Sequence, residues 1–180
     1  MRLYFTGITS VEDARKAVAW GAAAIGIKMG YQERDVHPEK AREIFLKLPV
    51  FVSRVGIFAN EKRYAIQELI TFCRLDTLHF IGNEQPQDVA RFQEHVLKTF
   101  KEEEFASIAD YPVEGIVLHG KTHTLFQEKP TLFQEKLCIL TGLRSEKEWC
   151  AAVKSCRPFA LQLDLSDLND ETIEKLLKLS

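Results

Sequence analysis

The residues in this 180-residue sequence with the greatest capacity for chemistry are few and scattered. His119 and His123 stand four apart, and with His79 they raise the question of a metal centre. On a helix that spacing would aim both imidazoles one way, but Gly120 makes the segment a loop, and no carboxylate ligand falls at a matching spacing. The three therefore read as unrelated surface histidines, and no metal is expected. Lys28 is odder, because an ammonium near the end of an apolar run is rarely buried without a partner. It faces either the mouth of whatever the strands enclose or the outer edge of its own strand, and at the mouth Asp164 is a candidate for an ion pair. Cys73, Cys138, Cys150 and Cys156 show no CxxC spacing and mostly fall in apolar patterns, as reduced structural thiols do.

What must position these groups is an alternation of strands and helices. Short apolar runs rich in β-branched and aromatic residues recur at 3–5, 23–29, 50–58, 77–81, 96–100, 113–118, 137–140 and 159–165, and each reads as a buried strand. Between them lie helical stripes: Ala41, Ile44, Phe45 and Leu48; Ile66, Leu69, Ile70 and Cys73; Trp149, Ala152, Val153 and Cys156; Ile173, Leu176 and Leu177. Capping boxes, in which a hydroxyl and a carboxylate satisfy free amide donors, are expected between Thr9 and Glu12 and between Ser145 and Glu148. Gly21 closes the first helix, while Pro49, Pro112 and Pro158 each stand just before a strand, where a helix does not continue.

Strict βα alternation implies a parallel sheet covered by helices. No GxGxxG loop follows any strand, which argues against an open dinucleotide-binding sheet. The expectation is an α/β chain forming one domain over 1–180, a closed (β/α)8 TIM barrel. Such barrels ordinarily need about 200 residues or more, so this one must be trimmed. Two places are irregular: residues 101–110 leave little room for a fifth helix, and TLFQEK occurs at 124–129 and again at 131–136, hinged on Pro130. The repeat reads as a local duplication across a loop and the sixth helix, too short for a solenoid.

Composition excludes more than it identifies. Hydrophobic content of 46%, charged content of 28% and a net charge of -2 fit a globular protein, and no basic block points to nucleic acid. The N-terminal MRLYFTGITS is too short in its apolar run for a signal peptide, and no stretch approaches the ~20 apolar residues of a membrane span. A cytoplasmic protein without a membrane partner is expected.

The stretch FTGITSVEDARKAVAWGAAAIG (5–26) resembles the first βα unit of the phosphoribosylanthranilate isomerase family, whose strand ends in cysteine-Gly-Ile-Thr before Glu-Asp-Ala and then Gly-Ala-X-Ala-X-Gly. Collinear matches follow at RDVHPEKAREI (34–44), LPVFVSRVGIFANE (48–61), LHFIGNEQPQ (78–87) and YPVEGIVLHG (111–120), together about two thirds of the chain. The resemblance implies an Amadori rearrangement: a general acid protonates the ribose ring oxygen and a general base removes the C2 proton, both at the C-terminal ends of barrel strands. In the family the base is a cysteine ending strand one and the acid an aspartate ending strand six. Those positions hold Thr6 and His119.

A threonine hydroxyl with no adjacent base is too weak an acid to replace a thiolate. An imidazole, ordinarily titrating near ~6.5, can donate a proton; His119 also reads as a rim histidine that simply hydrogen-bonds its neighbours. The resemblance further implies a phosphate held by the loops after strands seven and eight. The seventh loop, LTGLRSEKE, keeps Gly142 but carries Leu143 for the partner glycine, with Arg144 next. The eighth, LQLDLSDLND, puts Asp164 and Leu165 at the serine positions and Ser166 at the glycine, and an ionised Asp164 repels a phosphate. Arg34 matches the arginine that holds the anthranilate carboxylate, a role suited to the guanidinium fork; its other reading is an ion pair with Glu33 or Asp35. The implied function is a phosphoribosylanthranilate isomerase-like protein, without a cofactor, whose activity is weak or lost. A phosphosugar is then the substrate and a pathway enzyme a possible partner. The alternative is a non-catalytic binding or partner protein on the same barrel, and a third is a new small-molecule reaction at the same mouth.

Overall fold

Eight short strands, each too apolar to face water on either side, close on one another into a parallel barrel in sequence order. The computed structural model describes residues 2–30, 32–119, 132–143 and 145–177. The strands are β1 (Arg2–Thr6), β2 (Ala22–Lys28), β3 (Ser53–Phe58), β4 (Thr77–Phe80), β5 (His95–Phe100), β6 (Gly115–His119), β7 (Leu137–Thr141) and β8 (Ala160–Asp164). Pairing of β1 with β8, Arg2 opposite Ala160 through Thr6 opposite Asp164, completes the ring. All eight expected strands are present, with most ends shifted by one or two residues. The exception is β3, which begins at Ser53 rather than at 50. Val50 and Phe51 are apolar but lie outside the strand, and Phe51 is 97% exposed with a φ of 77°.

The main core lies between the barrel and its helices. Ala41, Ile44 and Phe45 of the helix Pro38–Leu46, Ile66, Leu69 and Cys73 of Arg63–Cys73, and Ile173 and Leu176 of Asp170–Leu177 are buried there, as their stripes foretell. Ser145 and Glu148 form the expected capping box of the helix Glu146–Cys156. At the first helix, Val11–Ala19, the cap lies one residue later than expected: Ser10 Oγ accepts from the Asp13 amide at 3.1 Å. The Asp13 carboxylate accepts instead from the Thr9 amide and hydroxyl, at 2.9 and 3.0 Å. The carboxylate that reaches back over this helix start is thus Asp13 and not Glu12. Residues 102–110 form a 3-10 segment in place of a fifth α-helix. The TLFQEK repeat lies mostly outside the described residues, as do His123 and Arg144.

Inside the barrel, alternate residues of the strands make a second cluster of Tyr4, Val55, Leu97, Val117, Ile139 and Ala160. His79 belongs to this interior. It is fully buried, which corrects its reading as a surface histidine. Its Nδ1 lies 3.0 Å from the Tyr4 hydroxyl and its Nε2 2.7 Å from Thr99 Oγ1. Gly26 leaves room for this pair, since a Cβ there would stand 2.4 Å from the Tyr4 hydroxyl oxygen.

On the outer side of the sheet Lys98 is 2% exposed and Glu84 8%. The Lys98 ammonium donates to the carbonyls of Gly82 at 2.6 Å and Thr99 at 3.2 Å. It stands 3.5 Å from Glu84 Oε2, which accepts no hydrogen bond among the described residues. The other oxygen of Glu84 accepts from the Asn60 amide at 2.7 Å, and the Tyr111 hydroxyl donates to the Glu84 carbonyl at 3.0 Å. This buried ion pair thus ties the ends of β3, β4 and β5 to the 3-10 segment.

Candidate active site at the C-terminal rim

Parallel strands place all their C-terminal ends on one face, and three of the residues singled out in the sequence, Thr6, His119 and Asp164, are found there with Thr141. Thr6, His119, Thr141 and Asp164 terminate β1, β6, β7 and β8. Within that face a cleft of about 320 Å³ is lined by Thr6, Lys28, Arg34, His79, Gln162 and Asp164. His119 is exposed at the end of β6, and among the described residues it is not part of the cleft wall. Gly142, with a φ of 79°, packs on its ring: a Cβ there would lie 2.9 Å from His119 Nε2. The seventh loop is fastened by the Trp149 indole, which donates to the Leu143 carbonyl at 3.0 Å.

Asp164 is held on three sides. Its Oδ2 accepts from the Thr6 hydroxyl at 3.2 Å, and its Oδ1 accepts from the Ser166 amide at 3.1 Å and the Ser166 hydroxyl at 2.6 Å. The carboxylate therefore occupies both the amide and the hydroxyl of Ser166. Gly7, with a φ of 73°, makes room for it, because a Cβ there would stand 2.4 Å from Oδ1.

Lys28 pairs with Asp35 at 2.7 Å, and not with Asp164. The reason is local. Met29 and Val36 form a parallel bridge, and the Val36 amide donates to the Lys28 carbonyl at 2.9 Å, so the loop after β2 folds back and brings Asp35 onto the ammonium. With Asp35 engaged, Arg34 lies at the cleft beside it, exposed. Among the described residues, no group of three histidine, cysteine or acidic side chains comes together as a metal site.

Sequence reasoning missed Gln162, Tyr4 and Thr99. The signal was available: alternation along a strand points back from Asp164 to Gln162 and from Thr6 to Tyr4, all facing inward. Gln162 Oε1 is buried and accepts no hydrogen bond among the described residues.

Burial, with the Lys98 ammonium nearby, pushes the His79 imidazole down to about 3. As pH falls below about 6.5, the unfolded chain takes up a proton that the folded one refuses, so stability falls through that window by up to about 1.4 kcal/mol per pH unit. Urea unfolding of His79→Gln at pH 7 and pH 4.5 should show a smaller acid loss than the wild type. An equal loss in both proteins would show that His79 is not the group responsible.

Comparison with known proteins agrees with this architecture. N-(5'-phosphoribosyl)anthranilate isomerase of Moorella thermoacetica is 31% identical over 177 residues, covering 91% of this chain and 79% of that protein. The chain belongs to the phosphoribosylanthranilate isomerase family. The phosphoribosylanthranilate isomerase of Thermus thermophilus shares its structure at a TM-score of 0.80 and 32% identity, over 99% of this chain and 98% of the other. A further phosphoribosylanthranilate isomerase, solved in complex with reduced 1-(o-carboxyphenylamino)-1-deoxyribulose 5-phosphate, matches at a TM-score of 0.83 and 24% identity, covering 99% and 97% of the two chains. That last likeness is one of fold. No family model matches the chain. Among the described residues, no helix is long and apolar enough to cross a membrane.

Proposed function

We propose that the chain performs the phosphoribosylanthranilate isomerase reaction at this rim, weakly. The observation that carries the reading is the cleft between β1, β2 and β8, where Thr6, Arg34 and Asp164 line one concave wall. Arg34 is suited to the anthranilate carboxylate, which a guanidinium grips with two parallel hydrogen bonds. The role of acid for the ring oxygen is assigned to His119, which is exposed at the end of β6.

The weakness has a physical origin in the phosphate site. Asp164 already accepts from the amide and hydroxyl of Ser166, so a phosphate meets a negative charge where amide donors should be free. Gly142 is committed to the His119 ring, and Leu143 offers only its backbone to a ligand. A second phosphorylated compound class is not required by any of these contacts.

The decisive assay follows the loss of fluorescence of freshly made phosphoribosylanthranilate. Turnover above the uncatalysed rate but below the usual 1–10³ s⁻¹ range is expected. No acceleration at all would leave the non-catalytic reading in its place. Calorimetry with reduced 1-(o-carboxyphenylamino)-1-deoxyribulose 5-phosphate supplies an independent check: Asp164→Ser should bind it about tenfold tighter or more than the wild type, roughly 1.4 kcal/mol. Equal affinities would show that Asp164 does not oppose the phosphate.

A further inference from the structure

We propose that Asp164 is the base that takes the C2 proton in this chain, with Thr6 as its positioning residue. The assignment rests on the isomerase reading above and supplies what that reading lacks, a group able to replace the family's thiolate.

Among the described residues, the titratable groups lining the cleft are Lys28, Arg34, His79 and Asp164. Lys28 is an ammonium paired with Asp35, and Arg34 is a permanent cation, so neither accepts a proton. His79 borders the cleft but is fully buried, and both its ring nitrogens are taken by Tyr4 and Thr99. Asp164 remains. Its Oδ2 stands 3.2 Å from Thr6 Oγ1, the γ atom of the residue whose place the family gives to cysteine. A carboxylate oxygen thus lies one hydrogen-bond length from where the sulfur would be. A carboxylate oxygen offers about two lone-pair directions; Thr6 occupies one on Oδ2, while both contacts from Ser166 fall on Oδ1. The other direction on Oδ2 is available to a substrate hydrogen.

Asp164 is also one strand nearer the acid position than Thr6 is. Between β6 and β8 lie two strand spacings, on the order of 10 Å along the rim, a span that lets the two groups act on different atoms of one sugar. The reaction balances without a co-reactant. His119 gives a proton to the ring oxygen as the C1–O bond breaks, and the nitrogen lone pair forms the C1=N bond. Asp164 then takes the C2 proton; the C2–H electron pair becomes C1=C2, and the C1=N π pair returns to nitrogen. The enol loses its hydroxyl proton as C1 gains one, giving the aminoketose, an isomer of the substrate.

The test is a kcat and KM comparison of wild type, Asp164→Asn and Asp164→Ser, with thermal unfolding as a control for folding. If Asp164 is the base, kcat falls about 10²–10⁴-fold in both variants, while KM stays level or drops because a charge opposing phosphate has gone. An Asp164 that only repels phosphate predicts the opposite sign, with turnover rising in both variants, and that result would overturn the assignment. Thr6→Ala should lower kcat at unchanged KM and Thr6→Ser should restore it, as expected of a hydroxyl that orients the carboxylate. In the Thr6→Cys, Asp164→Asn double variant a thiolate should recover activity, and the acidic limb of the pH profile should move upward, toward the about 8.5 of a thiol. A purely structural role moves neither quantity. Should the wild type turn over and Asp164→Asn keep its kcat, the assignment fails while the isomerase reading survives. Inactivity of both proteins would overturn the isomerase reading and the assignment together.

Discussion

Lys98→Met is expected to cost about 3–5 kcal/mol of stability, seen as a large fall in the urea midpoint. Lys98 and Glu84 are both buried, and the ammonium satisfies the carbonyls of Gly82 and Thr99 as well as the carboxylate. Removing it strands a negative charge and two carbonyl oxygens in an apolar layer. Methionine fills much of the volume but none of the charge. Changing Glu84→Gln in the same protein should recover most of the loss, because the penalty comes from the unpaired partner rather than from a missing attraction. A loss under about 1 kcal/mol in the single variant would mean that water reaches Glu84 easily.

Gly7→Ala should damage both stability and catalysis. A φ of 73° costs an alanine about 1–2 kcal/mol, and the added Cβ would stand 2.4 Å from Asp164 Oδ1, inside van der Waals contact. The carboxylate must swing away, which breaks its contact with Thr6 or with Ser166. At least a tenfold loss of kcat is expected, together with the unfolding penalty. The two components separate in a cycle with Asp164→Ser: the smaller serine relieves the clash, so Gly7→Ala should cost less stability in that background, by roughly the 1 kcal/mol of a hydrogen bond. Additive losses would show that the two residues do not touch in the way described.

The fold was legible because its signals repeat. Each strand is a short apolar run ended by glycine, proline or a polar turn, and each helix buries a stripe such as Ile66, Leu69 and Cys73. Where the signals misled, the physics is local. Val50 and Phe51 look like strand residues, but Pro49 and the left-handed turn at Phe51 keep them outside the sheet. His79 looked like a surface residue because a lone histidine carries no mark of burial. Its partners, Tyr4 and Thr99, sit on other strands, 75 and 20 residues away in sequence. Alternation put every strand's C-terminal end on one face, and the family resemblance picked out Thr6, His119 and Asp164 among them. The pairing of Lys28 with Asp35 did not, since it depends on a loop that folds back through a single bridge between Met29 and Val36.

Closure of the ring by β1 and β8 also governs when the protein can exist. Thr6 and Asp164 touch across a sequence separation of 158 residues. At synthesis rates of roughly 5–20 residues per second, the ribosome needs on the order of ten seconds or more between making the first and the last of them. During that interval β1 can pair with β2, but its other edge stays open, a template for any neighbouring chain. The last hydrogen-bonded ladder to form is also the one with the longest loop to close, and such non-local pairing is slow. The wall that Thr6 and Asp164 share therefore cannot form until β8 has been made, and the free edge of β1 is covered only then.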